Sequence, residues 1–187
     1  DLLCSRSTQS TALGTRFYWY VAVERCDSQY GELFARVEQQ LHAALEAHNA
    51  PLLTMLERQR HFVQMLATKN AELRVSRDTR PKKIEKLRAL LADRKAGLRT
   101  LDPPLSLPLD PDVCITGVAV ENSTVFKSNL FPWRLEFRVD DDTSTYTVIV
   151  MNGDDLRQDQ LVLQLFALMD SLLRDEHLDV CITPYHV

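Results

Sequence analysis

Glycine is scarce in this sequence, with only 5 among 187 residues, and prolines number 8. With apolar residues at 45% and charged residues at 26%, that scarcity excludes a collagen-like, low-complexity or disordered chain. The four cysteines, Cys4, Cys26, Cys114 and Cys181, contain no C-x-x-C pair. They form neither a disulfide framework nor a zinc site, and fit reduced thiols in a cytosolic protein. No apolar run approaches the ~18 residues a membrane span needs, and no secretory signal opens the chain. The five histidines, at 42, 48, 61, 177 and 186, lack metal-ligand spacing. Also missing are G-x-x-x-x-G-K-[ST], G-x-G-x-x-G, H-E-x-x-H and G-x-S-x-G, so no self-contained catalytic motif is present. A chain of this length buries roughly 70% of its unfolded surface and needs no staple. It begins at Asp1 without Met and reads as a piece of something longer.

What is present divides in two. Residues 1–102 carry 17 Lys and Arg against 12 Asp and Glu, a net +5, whereas residues 103–187 carry 5 against 14, a net −9. The sign changes at Pro103-Pro104, which suggests two structural units. The acidic half excludes nucleic-acid binding through phosphates in that half.

In the first half, Leu33, Phe34, Val37, Leu41, Ala44, Leu45 and His48 recur at three-to-four spacing, the apolar face of an amphipathic helix. Asn49 is placed as an N-cap, with Pro51 in the first turn of a second helix carrying Leu52, Leu56, Val63 and Leu66. The polar, basic stretch Arg74 to Lys83 contains Pro81 and reads as a solvated loop. Ile84, Leu87, Leu90 and Leu91 predict a third helix ending near Gly97. The aromatic run Arg16 to Glu24 fits strand or buried helix equally. Stacked antiparallel, as in an α-solenoid, these helices would bury their faces.

Residues 102–111 (DPPLSLPLDP) hold four prolines in ten residues and must run extended. Alternation then predicts strands over Cys114 to Val120, Trp133 to Val139 and Tyr146 to Met151, with Asp140-Asp141-Asp142 as a polar turn. Asp155 and Gln158 have the spacing of a capping box ahead of a helix marked by Val162, Leu165, Phe166, Met169, Leu172 and Leu173. A last short strand is predicted over Val180 to Ile182. The fold class is α+β: a helical segment, then a small antiparallel sheet with one long helix.

The stretch from Asn152 to Asp159 (NGDDLRQD) turns into that helix with three of its carboxylates near the helix start. On residue pattern alone it fits a charged cap, because Asp near a helix N-terminus is favoured by the dipole. Taken with the helix behind it and Thr183-Pro184-Tyr185, NGDDLRQDQL closely resembles the phosphatidylinositol 3-kinase family. The loop Thr124-Val-Phe-Lys-Ser128 with Pro132 resembles the phosphate-binding loop of the class III, vacuolar-sorting type. PLSLPLDPDV and RFYWYV resemble that class's linker and helical domain. The resemblance covers nearly the whole chain, least well in residues 27–100.

The resemblance implies residues 1–102 as the end of a helical domain of α-solenoid type, 103–112 as a Pro-rich linker, and 113–187 as a kinase amino-terminal lobe. Val125, Phe126, Lys127, Ser128, Asn129, Leu130 and Phe131 would form the loop over the ATP phosphates, with the Ser128 side chain and N–H as donors. Lys127 is open to two readings, a solvated loop lysine or a phosphate contact. Asp159, through hydrogen bonding and not as a base, and Tyr185, on the strand leading to the hinge, would line the inner nucleotide pocket. Two departures stand out. The family has an α-phosphate-binding lysine where this sequence has Met151, whose thioether brings neither charge nor a donor. The family's catalytic loop and metal-binding Asp-Phe-Gly element find no counterpart in residues 1–187, so no catalytic residue and no metal ligand is assigned.

The implied whole is an enzyme that moves the γ-phosphate of Mg-ATP to the 3-hydroxyl of phosphatidylinositol. It would be cytoplasmic and peripheral on endosomal and autophagic membranes, with a protein-kinase-like regulatory subunit and a coiled-coil adaptor as partners and no nucleic acid. Residues 1–187 alone would be inactive. The rival reading is a catalytically inert scaffold or interaction module of the same fold, which Met151 favours.

Overall fold

Local signals and long-range burial together set the helices in a computed structural model that describes residues 2–140, 144–183 and 185–187. Two helices open the chain, α1 (Leu2–Ser7) and α2 (Thr11–Glu24). The Ser10 hydroxyl caps α2 by accepting the Leu13 amide at 3.3 Å. The aromatic run is therefore helical. The next two, α3 (Gly31–His48) and α4 (Ala50–Val75), meet at Asn49, whose side chain accepts the Leu52 amide at 3.2 Å. Asn49 is the N-cap that the sequence predicts.

The expected loop over Arg74 to Lys83 is corrected. Helix α4 continues to Val75 and α5 (Arg80–Ala92) already starts at Arg80. Pro81 does not interrupt α5, because it occupies the first turn, where a missing N–H removes no intrahelical bond. After α5 a 3-10 turn, Arg94–Ala96, leads into Gly97 at φ 67°, the left-handed conformation that favours glycine.

The sheet is antiparallel throughout: β1 (Leu105–Ser106), β2 (Cys114–Val118), β3 (Thr124–Val125), β4 (Trp133–Val139) and β5 (Thr145–Val150). Its hub is β4, where Trp133 lies between Val125 and Val150, and Phe137 between Val118 and Tyr146. The predicted first strand is shorter than expected, giving way to a 3-10 turn at Val120–Asn122, and β1 and β3 were not anticipated. In the expected polar turn, Asp141 and Asp142 lie outside the described residues.

Alternation along β4 buries Trp133, Leu135 and Phe137 on one face and leaves Arg134, Glu136 and Arg138 on the other. The buried face shares a core with Phe62, Leu66, Leu87 and Leu91 from the helices and with Leu105 and Leu107 from the Pro-rich segment. That segment is anchored, since buried Gln59 donates to the Ser106 carbonyl at 2.7 Å while accepting Trp19 Nε1–H at 2.9 Å. A second core joins Cys4 and Tyr18 to Leu41, Leu45, Leu52 and Leu56.

The chain divides into two compact units, Asp1–Asn152 and Gly153–Val187. The second opens at Gly153 (φ 93°) and carries α6 (Arg157–Asp175). The predicted capping box does not form. The helix begins at Arg157, and Asp155 spends its carboxylate on the Arg157 amide (3.1 Å) and guanidinium (2.7 Å). Nor is there a strand over Val180 to Ile182: Cys181 sits at φ 55°, outside the β region, and among the described residues no partner strand offers a ladder.

Candidate functional site

The first unit holds the residues expected to form the phosphate loop. Val125 ends β3 fully buried, and the chain then turns outward with Phe126, Lys127, Ser128 and Asn129 exposed and Leu130 and Phe131 half-buried. The turn is internally bonded. Phe126 N–H donates to Pro132 O (2.9 Å), Ser128 N–H to Phe126 O (3.1 Å), Phe131 N–H to Ser128 O (3.1 Å) and Leu130 N–H to Ser128 Oγ (3.4 Å). The Ser128 N–H is therefore used within the loop. The amides of Lys127 and Asn129 have no hydrogen-bond partner among the described residues. Beside the loop is an open cleft of about 300 Å³ lined by Arg80, Lys127, Ser128, Asn129 and Phe131. Met151 follows the last residue of β5 and is half-buried.

Sequence reasoning missed what stands behind this loop. Arg80 Nε donates to Val125 O at 2.8 Å, and Asn70 Nδ2 to Phe131 O at 3.4 Å. Lys83 Nζ lies 3.5 Å from the centroid of the Phe131 ring and donates to Arg74 O at 2.9 Å. Arg74 in turn donates to Asn152 O at 2.7 Å, and the Asn152 side chain donates to Ala67 O at 3.1 Å. The basic stretch is thus engaged with the protein. Only the one-turn spacing of Arg80 and Lys83 signalled it, and that spacing cannot say which way a helix face turns.

In the second unit Asp159 occupies the first turn of α6, and Tyr185 Oη–H donates to Asp159 Oδ1 at 3.1 Å. The structure brings together these two residues expected in the inner pocket, although Tyr185 lies on no strand. The bond to the Asp159 carboxylate raises the Tyr185 phenol above its ordinary value. Nearby, Gln160 Nε2 donates to Val187 O at 3.3 Å. Hydrogen bonds from Arg157 hold the Asp155 carboxyl down at about 2. Among the described residues no group of three His, Cys, Asp or Glu side chains could hold a metal ion, and no helix is long and apolar enough to cross a membrane.

The first unit thus presents a helix-backed antiparallel sheet with an exposed polar loop, and the second a Gly-Asp-Asp turn ahead of a helix. Residues 145–187 match the family model of phosphatidylinositol 3- and 4-kinases. Over its whole length the chain is similar to class III phosphatidylinositol 3-kinases. It is 41% identical to phosphatidylinositol 3-kinase pik3 of Schizosaccharomyces pombe over 189 residues, 99% of this chain and 23% of that protein. It is 38% identical to phosphatidylinositol 3-kinase VPS34 of Arabidopsis thaliana over 195 residues, 100% of this chain and 24% of that protein. Against VPS34 of Saccharomyces cerevisiae the identity is 35% over 187 residues, 100% and 20%. The chain thus spans 20–24% of the length of these relatives.

Proposed function

We propose that residues 1–102 are the end of a helical domain and 113–187 the amino-terminal lobe of a phosphatidylinositol 3-kinase, joined by 103–112. The whole protein transfers the γ-phosphate of ATP to the 3-hydroxyl of phosphatidylinositol. The observation that carries this is the similarity of the entire chain, across both parts and the Pro-rich segment, to proteins named phosphatidylinositol 3-kinases.

The exposed loop suits a triphosphate. It offers the amides of Lys127 and Asn129, the Ser128 hydroxyl and the Lys127 ammonium, and donors clustered on a turn favour an anion. Asp159 and Tyr185 present a hydrogen-bonded pair for the inner end of the nucleotide. ATP supplies the phosphoryl group, and magnesium its charge neutralisation, with metal ligands outside residues 1–187. The protein acts peripherally on phosphatidylinositol membranes of the endosomal and autophagic system, with a protein-kinase-like regulatory subunit and a coiled-coil adaptor.

Met151 specifically favours a second reading, an inert scaffold of the same fold, because a neutral thioether stands where the family's ammonium meets phosphate. Assay of the full-length protein with phosphatidylinositol vesicles and labelled ATP tests both. Label in a 3-phosphorylated lipid supports the kinase. No label, with the protein folded, leaves the scaffold.

A further inference from the structure

The sheet has two unequal faces. One carries Trp133, Leu135 and Phe137 into the core shared with α4 and α5; the other carries Arg134, Glu136 and the exposed Thr147 and Ile149. The loop 126–131 leaves the end of this sheet. Among the described residues, the side-chain hydrogen bonds and the cation–ring contact that reach it from outside come from the helical side. Arg80 holds Val125 O at the loop's start, while Lys83 and Asn70 hold the ring and the carbonyl of Phe131 at its end. Phe131 stands at φ 46°, a backbone conformation uncommon for a bulky residue, which persists only where surroundings fix it. Lys83 is 1% exposed, and its ammonium is held by a ring and a carbonyl. A buried ammonium in such a setting tolerates little displacement, because losing either partner leaves its charge desolvated. Arg74, whose carbonyl Lys83 grips, also reaches Asn152 just beyond Met151.

We propose that Arg80 and Lys83 are positioning residues for nucleotide binding: through Val125 O and the Phe131 ring, the helical layer sets the position of the loop that receives the phosphates. This deepens the kinase reading given above and rests on it. Neither residue needs to touch ATP. Their loss frees an otherwise exposed loop to sample conformations, so nucleotide affinity falls while phosphoryl transfer from bound nucleotide and lipid binding are spared.

The test uses the full-length protein with two readouts. Arg80 is exposed, so Arg80→Gln should fold. It is expected to raise KM for ATP by about three- to tenfold, with kcat within about twofold and KM for phosphatidylinositol unchanged. Arg80→Lys, which keeps a donor and the charge, should recover at least half of that loss on a logarithmic scale. Lys83→Met should act in the same direction, and its melting temperature is recorded beside its KM. The second readout is amide hydrogen exchange without nucleotide: Arg80→Gln should speed exchange across 126–131 while leaving 133–139 unchanged. Unaltered exchange in the loop, or a KM for lipid that rises with that for ATP, overturns the proposal. If the unmodified protein phosphorylates no lipid, the kinase reading fails, and loop exchange alone decides whether Arg80 and Lys83 position the loop.

Discussion

Residues 33–66 and residues 157–175 carry the same kind of apolar spacing, yet only the first is buried by the structure described here. In the first unit Leu41, Leu45 and Leu56 are no more than 1% exposed. In the second, α6 buries no residue, and Leu161, Leu165, Phe166 and Met169 are each at least 43% exposed. Periodicity states which side of a helix needs covering. Whether it is covered depends on neighbours, and in the first unit these are other helices and one sheet face.

The largest expected effect sharpens this contrast. Leu135→Ala in the sheet core should cost about 2–5 kcal/mol in equilibrium denaturation, since the side chain is fully buried and its removal leaves a cavity. Leu165→Ala on α6 should change stability by no more than about 0.5 kcal/mol in the same chain. Equal losses at the two positions would mean that α6 is covered in solution and would erase the distinction.

Next comes Met151, at the end of β5 where the first unit closes. In the full-length protein Met151→Lys should raise lipid-kinase activity by at least about tenfold, because a charge-assisted contact contributes about 1.5–3 kcal/mol. Met151 is half-buried, so melting temperature must be measured alongside activity. Unchanged activity with a lowered melting temperature would place Met151 in the packing of the first unit and away from any nucleotide.

A smaller effect is expected at Gln59, which bridges Trp19 to the Pro-rich segment while fully buried. Gln59→Leu strands an indole N–H and a carbonyl and should cost about 1–3 kcal/mol by the same denaturation measurement. A loss below that range would mean the segment is held by Leu105, Leu107, the β1–β2 ladder and the Arg58 contacts to Pro103 and Pro104 without Gln59.

These comparisons also show what could be read in advance. The Asn49 cap, strand β4 and the long last helix were legible because each carries its signal in a few neighbouring residues: a capping side chain, period-2 alternation and a helical apolar stripe. Several missed features show the limits of a local signal. Pro81 looked like a breaker until α5 was seen to start at Arg80, and β1 exists only because β2 pairs with it. Val180 to Ile182 has strand composition without a partner strand. The loop residues, Asp159 and Tyr185 were named from a family resemblance, whereas Arg80 and Lys83 reach the loop from 45 and 48 residues away and carry no motif.

Asp155 provides the smallest effect and tests whether the second unit has any fixed geometry at its start. The side chain is exposed, but its carboxylate accepts the Arg157 amide and guanidinium, which hold its pKa at about 2 against an ordinary value of about 3.9. A folded value below the unfolded one means the carboxylate favours the folded state. Its contribution is complete above about pH 4 and is lost as pH falls through 2. A carboxyl-carbon NMR titration of Asp155 should show a midpoint near 2, and Arg157→Gln should return it toward about 3.9. The change in helix content of α6 across that range should be slight, since exposed pairs stabilise little. A midpoint near 3.9 in the unmodified protein would mean that Asp155 and Arg157 do not hold each other in solution, so the turn into α6 would owe its shape to Gly153 and not to this pair.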